Sequence, residues 1–519
     1  MVMIMPFENQ TSAPGLEWIS EAFPEVLSQR LVRPRLYVIS RDDRSYAFDH
    51  AGIPLTVHPS RATVYRIAEQ MDTDYVVLGS YKFDGKVLSA DAQLLDMKKL
   101  HLYPEVHSAG ALTNLIDVQT ALAWELLRQI EVPLTISRDQ FLQASPPIRL
   151  DAFENYIRGI LATSQPQRVR YLRNAVKLNP NYTLAILQLG KTYYADHEYE
   201  LAANWLSRIP KDDPDAGEAN FMLGMSEFYR GNFDKAFAAF RFLAARLPLT
   251  EVYNNLGVVE ARRGHRPQAA DYFAKAVNAD PNDADYRFNL ALALFKNGDS
   301  TGAARQLREE LQRRPADNEA KSLLDYINHG GAPPSSVNPT AAAAAPSTNA
   351  LLPAGQLRIP LERIKRNYDE ASYRQLEMEI DNVAEARLAK SDGHTRSAYH
   401  LERGRELLAQ NMNEQAEEQF REAIGDDYGN AAAHAQLALL LERKGDPVNA
   451  RAEAQASVRL QPNVDGLLVL ARLDLKQNQV ESAARNVDRA LTLQPADATA
   501  LALKHDITAK QTVPNATQQ

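Results

Sequence analysis

The 519-residue sequence contains no cysteine, which excludes disulfide bonds, thiolate metal sites and cysteine nucleophiles. No stretch approaches the roughly 18 consecutive apolar residues that span a bilayer as a helix, so no transmembrane segment is predicted. Basic charge is not in excess either, because 58 Lys and Arg stand against 66 Asp and Glu, a formal net charge of −8. Such a chain has no general attraction for phosphate backbones, so we do not expect nucleic acid as a main partner.

Motifs of active sites and cofactor sites are also missing. The sequence has no GxGxxG or GxxxxGK[ST] phosphate loop, no HExxH zinc motif and no GxSxG nucleophile motif. The closest histidines of the N-terminal region, His101 and His107, would lie about 20 Å apart on one strand, too far for one metal ion. We therefore predict no catalytic residues, no metal site, no cofactor and no enzymatic activity.

A repeat of about 34 residues fills much of the remaining sequence. Prolines recur at spacings of 34, 34, 33 and 34, at Pro180, Pro214, Pro248, Pro281 and Pro315. A small residue, an alanine and a large residue precede most of them at fixed intervals, as in Gly257, Ala269 and Phe273. The small residue lets a second helix approach closely, and proline cannot continue that helix, so each unit is predicted to be an antiparallel helix pair.

This pattern resembles the tetratricopeptide repeat (TPR) family in its period and in its small, aromatic and proline positions. The resemblance implies an all-α solenoid in two arrays, with about five repeats in residues 149–330 and about three in residues 395–510. Residues 331–358 are rich in Pro, Ala, Ser and Thr and are predicted to be a flexible linker. Residues 359–394 have the spacing of an amphipathic helix, and the polar tail 511–519 is predicted to be disordered.

Residues 1–134 alternate strand-like and helix-like runs, which predicts a separate α/β domain. Strands are expected at 2–7, 36–40, 75–83, 87–95 and 101–108, and helices at 16–31, 61–71 and 112–130. Asp84-Gly85 between two alternating runs indicates a hairpin, so the last strands should be antiparallel. The charged run from Ser40 to Arg44 is interpreted as a solvated turn.

Several runs of this domain resemble the TolB amino-terminal domain family, in the form found fused to TPR arrays in bacteria. They are Met5-Pro6-Phe7-Glu8-Asn9, Leu16-Glu17-Trp18-Ile19, Ile39-Ser40-Arg41 and residues 74–81. The resemblance implies a module of the bacterial cell envelope or a sensory or scaffolding module, without a generally assigned enzymatic activity. No TolB-type propeller follows, so the role of TolB itself is not implied.

The first seven residues have the character of a buried strand, and domains rarely open in mid-strand. We therefore expect the native reading frame to begin upstream, with a signal peptide that would place the protein in the periplasm or at the cell envelope. The alternative location is the cytoplasm. At the end of that strand, Glu8 and Asn9 could face a ligand crevice, but the polar residues and Pro14-Gly15 that follow favour a capped loop.

The surface that remains for function is the groove lined by the first helix of each repeat. Its candidate residues flank the small residue of each unit, and some of the apolar ones are expected in the core. They are Leu187, Lys191, Tyr194, Phe221, Met225, Phe228, Asn254, Val258, Arg262, Phe288, Leu292 and Lys296. This mixed surface suits an extended peptide or a partner helix. Lys191, Asn254 and Arg262 do not reproduce the network with which relatives of this repeat family bind C-terminal carboxylates.

Taken together, the sequence predicts a non-enzymatic protein–protein interaction scaffold of the bacterial cell envelope that binds peptide or protein partners through TPR grooves. The alternative is a sensor or regulatory protein whose N-terminal α/β domain binds a small ligand. A hydrolase would rest on fold class alone. The oligomeric state is not predicted.

Overall fold

The computed structural model describes residues 1–11, 13–32, 36–53, 59–130, 137–143, 148–333, 361–409 and 412–512. The chain divides into two compact units, Met1–Gln375 and Leu376–Gln519. A sheet-containing N-terminal region is followed by a long series of helix pairs, so the predicted fold class is confirmed. Residues 334–358 of the predicted linker and 513–519 of the predicted tail lie outside the described residues.

The N-terminal region is built on one mixed sheet. Its strands are β1 (Val2–Ile4), β2 (Glu8–Asn9), β3 (Tyr75–Phe83), β4 (Val87–Asp96), β5 (His101–Leu102) and β6 (Val106–Ala111). Strands β1 and β2 pair in parallel with β3, whereas β4 is antiparallel to β3 and to both β5 and β6. The predicted hairpin connects β3 to β4, and Gly85 adopts a positive φ of 98° that its turn requires.

The helices of this region are α1 (Ile19–Leu31), α2 (Arg41–His50), α3 (Arg61–Gln70), α4 (Leu115–Gln129), after the 3-10 turn Leu112–Asn114, and α5 (Arg138–Gln143). The predicted strand at 36–40 is reduced to a single parallel bridge between Val2 and Val38. The run interpreted as a solvated turn instead begins α2. Ser40 caps this helix by accepting from the Asp43 amide at 3.0 Å. Arg44 is buried, where it donates to the Ile4 carbonyl at 2.6 Å and pairs with the Glu21 carboxylate.

The N-terminal region and the first helix pairs share one hydrophobic core. The Trp18 ring meets the Phe153 ring edge-on at 6.1 Å, and the Tyr156 hydroxyl donates to the Glu25 carboxylate at 2.9 Å. The sheet region is therefore packed directly on the helical array that follows it.

The first array has regular antiparallel pairs. Its helices are α6 (Leu150–Leu161), α7 (Gln165–Leu178), α8 (Thr183–Ala195), α9 (Tyr199–Leu206), α10 (Ala216–Tyr229), α11 (Phe233–Ala244), α12 (Thr250–Arg262), α13 (Arg266–Ala279), α14 (Ala284–Lys296), α15 (Ser300–Arg313) and α16 (Asn318–Asn328). The small residue of the repeat is needed for close packing. A Cβ atom added to Gly224 would lie 2.8 Å from the Phe240 ring, and one added to Gly257 would lie 2.6 Å from the Phe273 ring.

The segment predicted to be helical from residue 359 is only partly so. Residues 361–369 belong to neither a helix nor a strand, and α17 (Glu370–Leu388) begins after them. The expected helix start is wrong because amide and carbonyl groups of this stretch bond to side chains of the first array, and these bonds replace those of a helix.

The second unit repeats the antiparallel arrangement. Its helices are α18 (Gly393–Ala409), α19 (Asn413–Asp426), α20 (Ala431–Lys444), α21 (Pro447–Leu460), α22 (Val464–Lys476), α23 (Val480–Leu493) and α24 (Ala498–Thr512). The same close contact recurs, since a Cβ atom added to Gly404 would lie 2.5 Å from the Phe420 ring.

Candidate functional site

The candidate site is a groove formed by α10, α12, α14 and α16, the first helices of successive units of the first array. Residues 361–369, which we call the cis segment, lie in this groove, and their alternate residues Arg363 and Lys365 pair with successive helices as those of an extended chain would. The cis segment runs opposite to the order of the repeats, because Arg363 bonds to α14, Lys365 bonds to α12 and Tyr368 contacts α10.

Two asparagines hold the main chain of the cis segment. The Asn289 amide nitrogen donates to the Arg363 carbonyl at 2.7 Å, and the Arg363 amide donates to Asn289 Oδ1 at 2.7 Å. Asn255 makes the same pair of bonds with Lys365, both at 2.8 Å. Each asparagine therefore replaces the neighbouring strand of a β-ladder, and the bonds do not depend on which side chains the peptide carries.

A third asparagine completes this network. Asn254 Nδ2 donates to the Arg363 carbonyl at 2.9 Å, while Asn254 Oδ1 accepts from Asn289 Nδ2 at 2.7 Å. All three asparagine side chains belong to fully buried residues. Because an unpaired buried amide costs roughly 1–3 kcal/mol, the groove is built to be filled by a main chain or by water.

The asparagine positions follow from the repeat. Asn255 stands two residues before Gly257, and Asn289 stands two residues before Ala291, the small residues of consecutive units. Equivalent positions on successive first helices face the same way, so the two amides point into one groove. In the second array the same positions hold Glu402, Gln436 and Val469.

The Arg363 side chain lies in an acidic part of the groove. Its guanidinium is 2.7 Å from Asp317, 3.1 Å from Asp285 and 3.1 Å from Glu319. The guanidinium carbon also lies 3.7 Å from the centre of the Phe288 ring. The groove therefore binds this side chain both by charge and by stacking.

Lys365 points to the same acidic part, two residues further on. Its Nζ atom is 2.8 Å from Asp283 and 2.9 Å from Asp285. Burial lowers the pKa of Lys365, but hydrogen bonds to the two carboxylates outweigh it and raise that pKa above its ordinary value. Burial raises the pKa of Asp285, yet hydrogen bonds from Lys365 and Arg314 bring it down to about 2. Lys365 and Asp285 are therefore both charged at neutral pH.

Next to this acidic part, the groove is positively charged where it holds Glu362, the residue before Arg363. Glu362 is buried and pairs with Lys296 at 2.6 Å and with Arg262 at 3.8 Å. These cations lie at the C-terminal ends of α14 and α12, where the helix dipole favours positive charge. The groove therefore matches a peptide with a negative residue, a positive residue directly after it and a second positive residue two positions further on.

The other end of the cis segment is held by a ring and a carboxylate. The Tyr368 ring lies 5.2 Å from the Phe221 ring, and a Cβ atom at Gly217 would collide with the Tyr368 hydroxyl. The Asp369 amide donates to Glu251 at 3.0 Å. Burial raises the pKa of Glu251, and the Asp369 amide bond opposes this. The absence of a side chain at residue 217 thus makes room for an aromatic residue.

A tetratricopeptide repeat family model matches residues 187–249, 221–284, 254–318 and 401–465. The two helical arrays contain tetratricopeptide repeats. A search of curated proteins finds no match to the chain.

Several solved structures are similar to parts of the chain. YrrB, described as a TPR protein with an unusual peptide-binding site, is 18% identical over 34% of this chain and 92% of its own, with a TM-score of 0.31. MamA from Desulfovibrio magneticus RS-1 is 18% identical over 33% of this chain and 99% of its own, with a TM-score of 0.31. A tetratricopeptide repeat protein from Parabacteroides merdae is 10% identical over 63% of this chain and 98% of its own, with a TM-score of 0.27.

Part of the predicted TPR groove contacts the cis segment. The residues that do so are Phe221, Asn254, Arg262, Phe288 and Lys296. Met225 contacts one of the groove asparagines, since its sulfur lies 3.7 Å from Asn255 Nδ2. Their role toward an external partner remains a prediction.

The other predicted residues lie elsewhere. Leu187, Val258 and Leu292 are core residues of the TPR array, because the helix face that carries them packs against neighbouring helices. Lys191 pairs with Glu218 at 2.6 Å. Tyr194 and Phe228 belong to ring contacts around Tyr229, at 6.5 Å and 5.6 Å.

Sequence reasoning missed several groove residues, namely Asn255, Asn289, Glu251, Asp283, Asp285, Asp317 and Glu319. For the first two, a signal was present. Alignment of the repeats on their small residue places an asparagine at the same position in two consecutive TPR units.

The remaining candidates carry no comparable site. Glu8 and Asn9 form β2, and Asn9 Oδ1 accepts from the Thr11 amide at 2.9 Å, as in a capped turn. His101 and His107 lie in different strands, and His107 pairs with Asp91 at 2.7 Å. Within the described ranges there is no group of three or more His, Asp or Glu residues that could hold a metal ion. Among the same residues, no helix is both long and apolar enough for a membrane crossing.

Proposed function

We propose that this chain is a non-enzymatic scaffold that binds extended peptide segments of partner proteins in the groove of its first TPR array. The observation that carries the proposal is the pairing of Asn255 and Asn289 with both the amide and the carbonyl of alternate peptide residues. This geometry accepts any extended main chain, and flanking side chains then select among peptides. Proteins rather than nucleic acids are the proposed partners, in keeping with the net charge of −8.

The proposed setting is the bacterial cell envelope. Support comes from the resemblance of residues 1–134 to the TolB amino-terminal domain family. The core shared between the sheet region and the first helix pairs would then fix the groove relative to that domain. Fractionation of a tagged protein produced from its own locus tests this setting, and recovery in the cytosol alone would contradict it.

Binding is tested with a full-length variant whose groove is open. Arg363→Pro combined with Lys365→Pro removes the two peptide amides that donate to Asn289 and Asn255, so we expect the cis segment to leave the groove. A fluorescent peptide with the sequence LERIKRNYDE, taken from residues 361–370, is then titrated and followed by anisotropy. We expect binding at least about tenfold tighter than to the unmodified protein, whose own segment competes at an effective concentration near the millimolar range.

A matched control separates opening of the groove from a general effect of proline. Asn367→Pro changes an exposed residue of the same segment and leaves both donated amides in place, so the groove should remain closed. Circular dichroism establishes that each variant retains its helices. Failure of the open, folded variant to bind the peptide would refute the proposed function.

A further inference from the structure

We infer that the external partner of the first groove is an extended segment with two cationic residues two positions apart, a carboxylate directly before the first and an aromatic ring five positions after it. This inference rests on the proposed function and names the partner class of the same site. The cis segment would be a stand-in for that partner, which must displace it in order to bind.

The first argument is charge. Asp283, Asp285, Asp317 and Glu319 all lie within 3.1 Å of Arg363 or Lys365. Arg314 is the nearby cation that the array itself supplies, at 2.6 Å from Asp285 and 3.9 Å from Asp317. When the cis segment leaves, this cluster retains an excess of negative charge, which a second cationic segment would neutralise.

The second argument is spacing. In an extended peptide, residues two apart point to the same side and lie about 6.6 Å from each other. The asparagine pairs fix the two residues whose main chain they bind, and these are the residues whose side chains enter the acidic cluster. A peptide with adjacent cations would direct one of them away from the carboxylates.

The third argument is direction. Lys296 and Arg262 favour a negative group immediately before the first cation. The space next to Gly217 accommodates a ring near the C-terminal end of the segment. A peptide in the reverse orientation would bring a cation toward Lys296 and Arg262. The groove therefore selects one orientation as well as one pattern.

Exchange of one segment for another is compatible with the contacts. The cis segment is held mainly by hydrogen bonds and ion pairs, Leu361 is 58% exposed, and Arg366 and Asn367 are exposed. Ile364 is partly buried against the core of the α12 to α14 region. An external peptide with the same pattern would form the same bonds, so the competition depends on its concentration and affinity.

The test uses the open full-length variant with Arg363→Pro and Lys365→Pro. It is titrated with the fluorescent peptide LERIKRNYDE and with three altered peptides. In LEQIQRNYDE both cations are neutral, and in LEEIERNYDE both are negative. In LERKIQNYDE the second cation is moved next to the first, and glutamine replaces the exposed arginine at the sixth position so that no two cations stand two positions apart. We expect affinity to fall by about 10- to 100-fold per lost cation, most for the negative peptide and least for the moved one.

A groove variant checks that the loss arises at the acidic cluster. Asp285→Lys should reduce binding of LERIKRNYDE and improve the relative binding of LERIERNYDE, in which a glutamate occupies the second position. Gln436→Lys, on the second array, is the matched control and should change neither affinity.

The outcomes separate this inference from the proposed function. Equal binding of all peptides would leave the groove as a peptide site and overturn the partner class. Binding of none of them by the folded open variant would overturn both. Tighter binding of the negative peptide would also contradict the inference.

Discussion

Asn289 offers the sharpest test of how the cis segment is held. Its amide group forms bonds with the Arg363 carbonyl, the Arg363 amide and Asn254, each 2.7 Å long. Asn289→Ala removes all three and leaves buried groups unpaired. Two of these bonds join the array to the cis segment, so at about 0.5–1.5 kcal/mol per bond we expect docking of the cis segment to weaken by about 1–3 kcal/mol. This corresponds to a change of about 5- to 150-fold in the docking equilibrium.

Hydrogen–deuterium exchange on the full-length protein measures this effect at the residues concerned. The amides of Arg363 and Lys365 should exchange faster by a factor in that range, or up to the rate of an undocked chain if docking is lost. Asn220→Ala is the matched control. Asn220 lies on α10 and donates to the Ala216 carbonyl of its own helix at 2.8 Å, so the amides of 361–369 should exchange as before.

An unchanged exchange rate in residues 361–369, with α14 still protected, would refute the argument that asparagine side chains hold the main chain. If α14 also loses protection, the substitution has disturbed the helix itself. Asn255→Ala, one repeat earlier, then provides the decisive measurement, because its bonds to Lys365 are made from a different helix.

Two further predictions concern stability. Gly404→Ala should lower the free energy of unfolding by about 1–3 kcal/mol, because the new Cβ would lie 2.5 Å from the Phe420 ring. Gly425→Ala is the matched control: its added Cβ would meet no packed neighbour within 4 Å, so it should not lower the free energy of unfolding. Equal melting temperatures of the two variants would contradict the close-packing argument. Burial and nearby Asp317 raise the pKa of Glu310 to about 7, so its carboxylate costs stability as pH rises from about 4.5 to above 7. Glu310→Gln should therefore raise the free energy of unfolding by up to about 3 kcal/mol at pH 8 and change it little at pH 4. Denaturant titrations measure both values, and an equal effect at the two pH values would count against this reasoning.

Much of the fold could be predicted because packing rules leave a periodic trace in the sequence. The contact between Gly257 and Phe273 repeats with the period of the chain, so the antiparallel pairs follow from local spacing. The first turn of α2 was missed because its charges suggested a solvated turn, whereas Arg44 is buried through its bond to the Ile4 carbonyl, 40 residues away. Such a long-range partner leaves no local signal.

The candidate site was predictable only in part for the same reason. Ile364 and Tyr368 have helical spacing, so residues 361–369 looked like the start of an amphipathic helix. Their conformation is decided by Asn255 and Asn289, which lie 110 and 74 residues away from the amides they bind. The groove side could be inferred from the position of the small residues, but the occupant of the groove could not.

The pairing of one asparagine with every second peptide residue makes recognition modular. On the peptide side the bonds involve only main-chain atoms. Duplication of one asparagine-bearing unit would therefore lengthen the recognised stretch by two residues, provided that the asparagine of the added helix also faces the groove. Replacement of either asparagine would shorten it by the same amount. The length of the bound peptide is thereby encoded separately from its charge pattern, and each could change by mutation without the other.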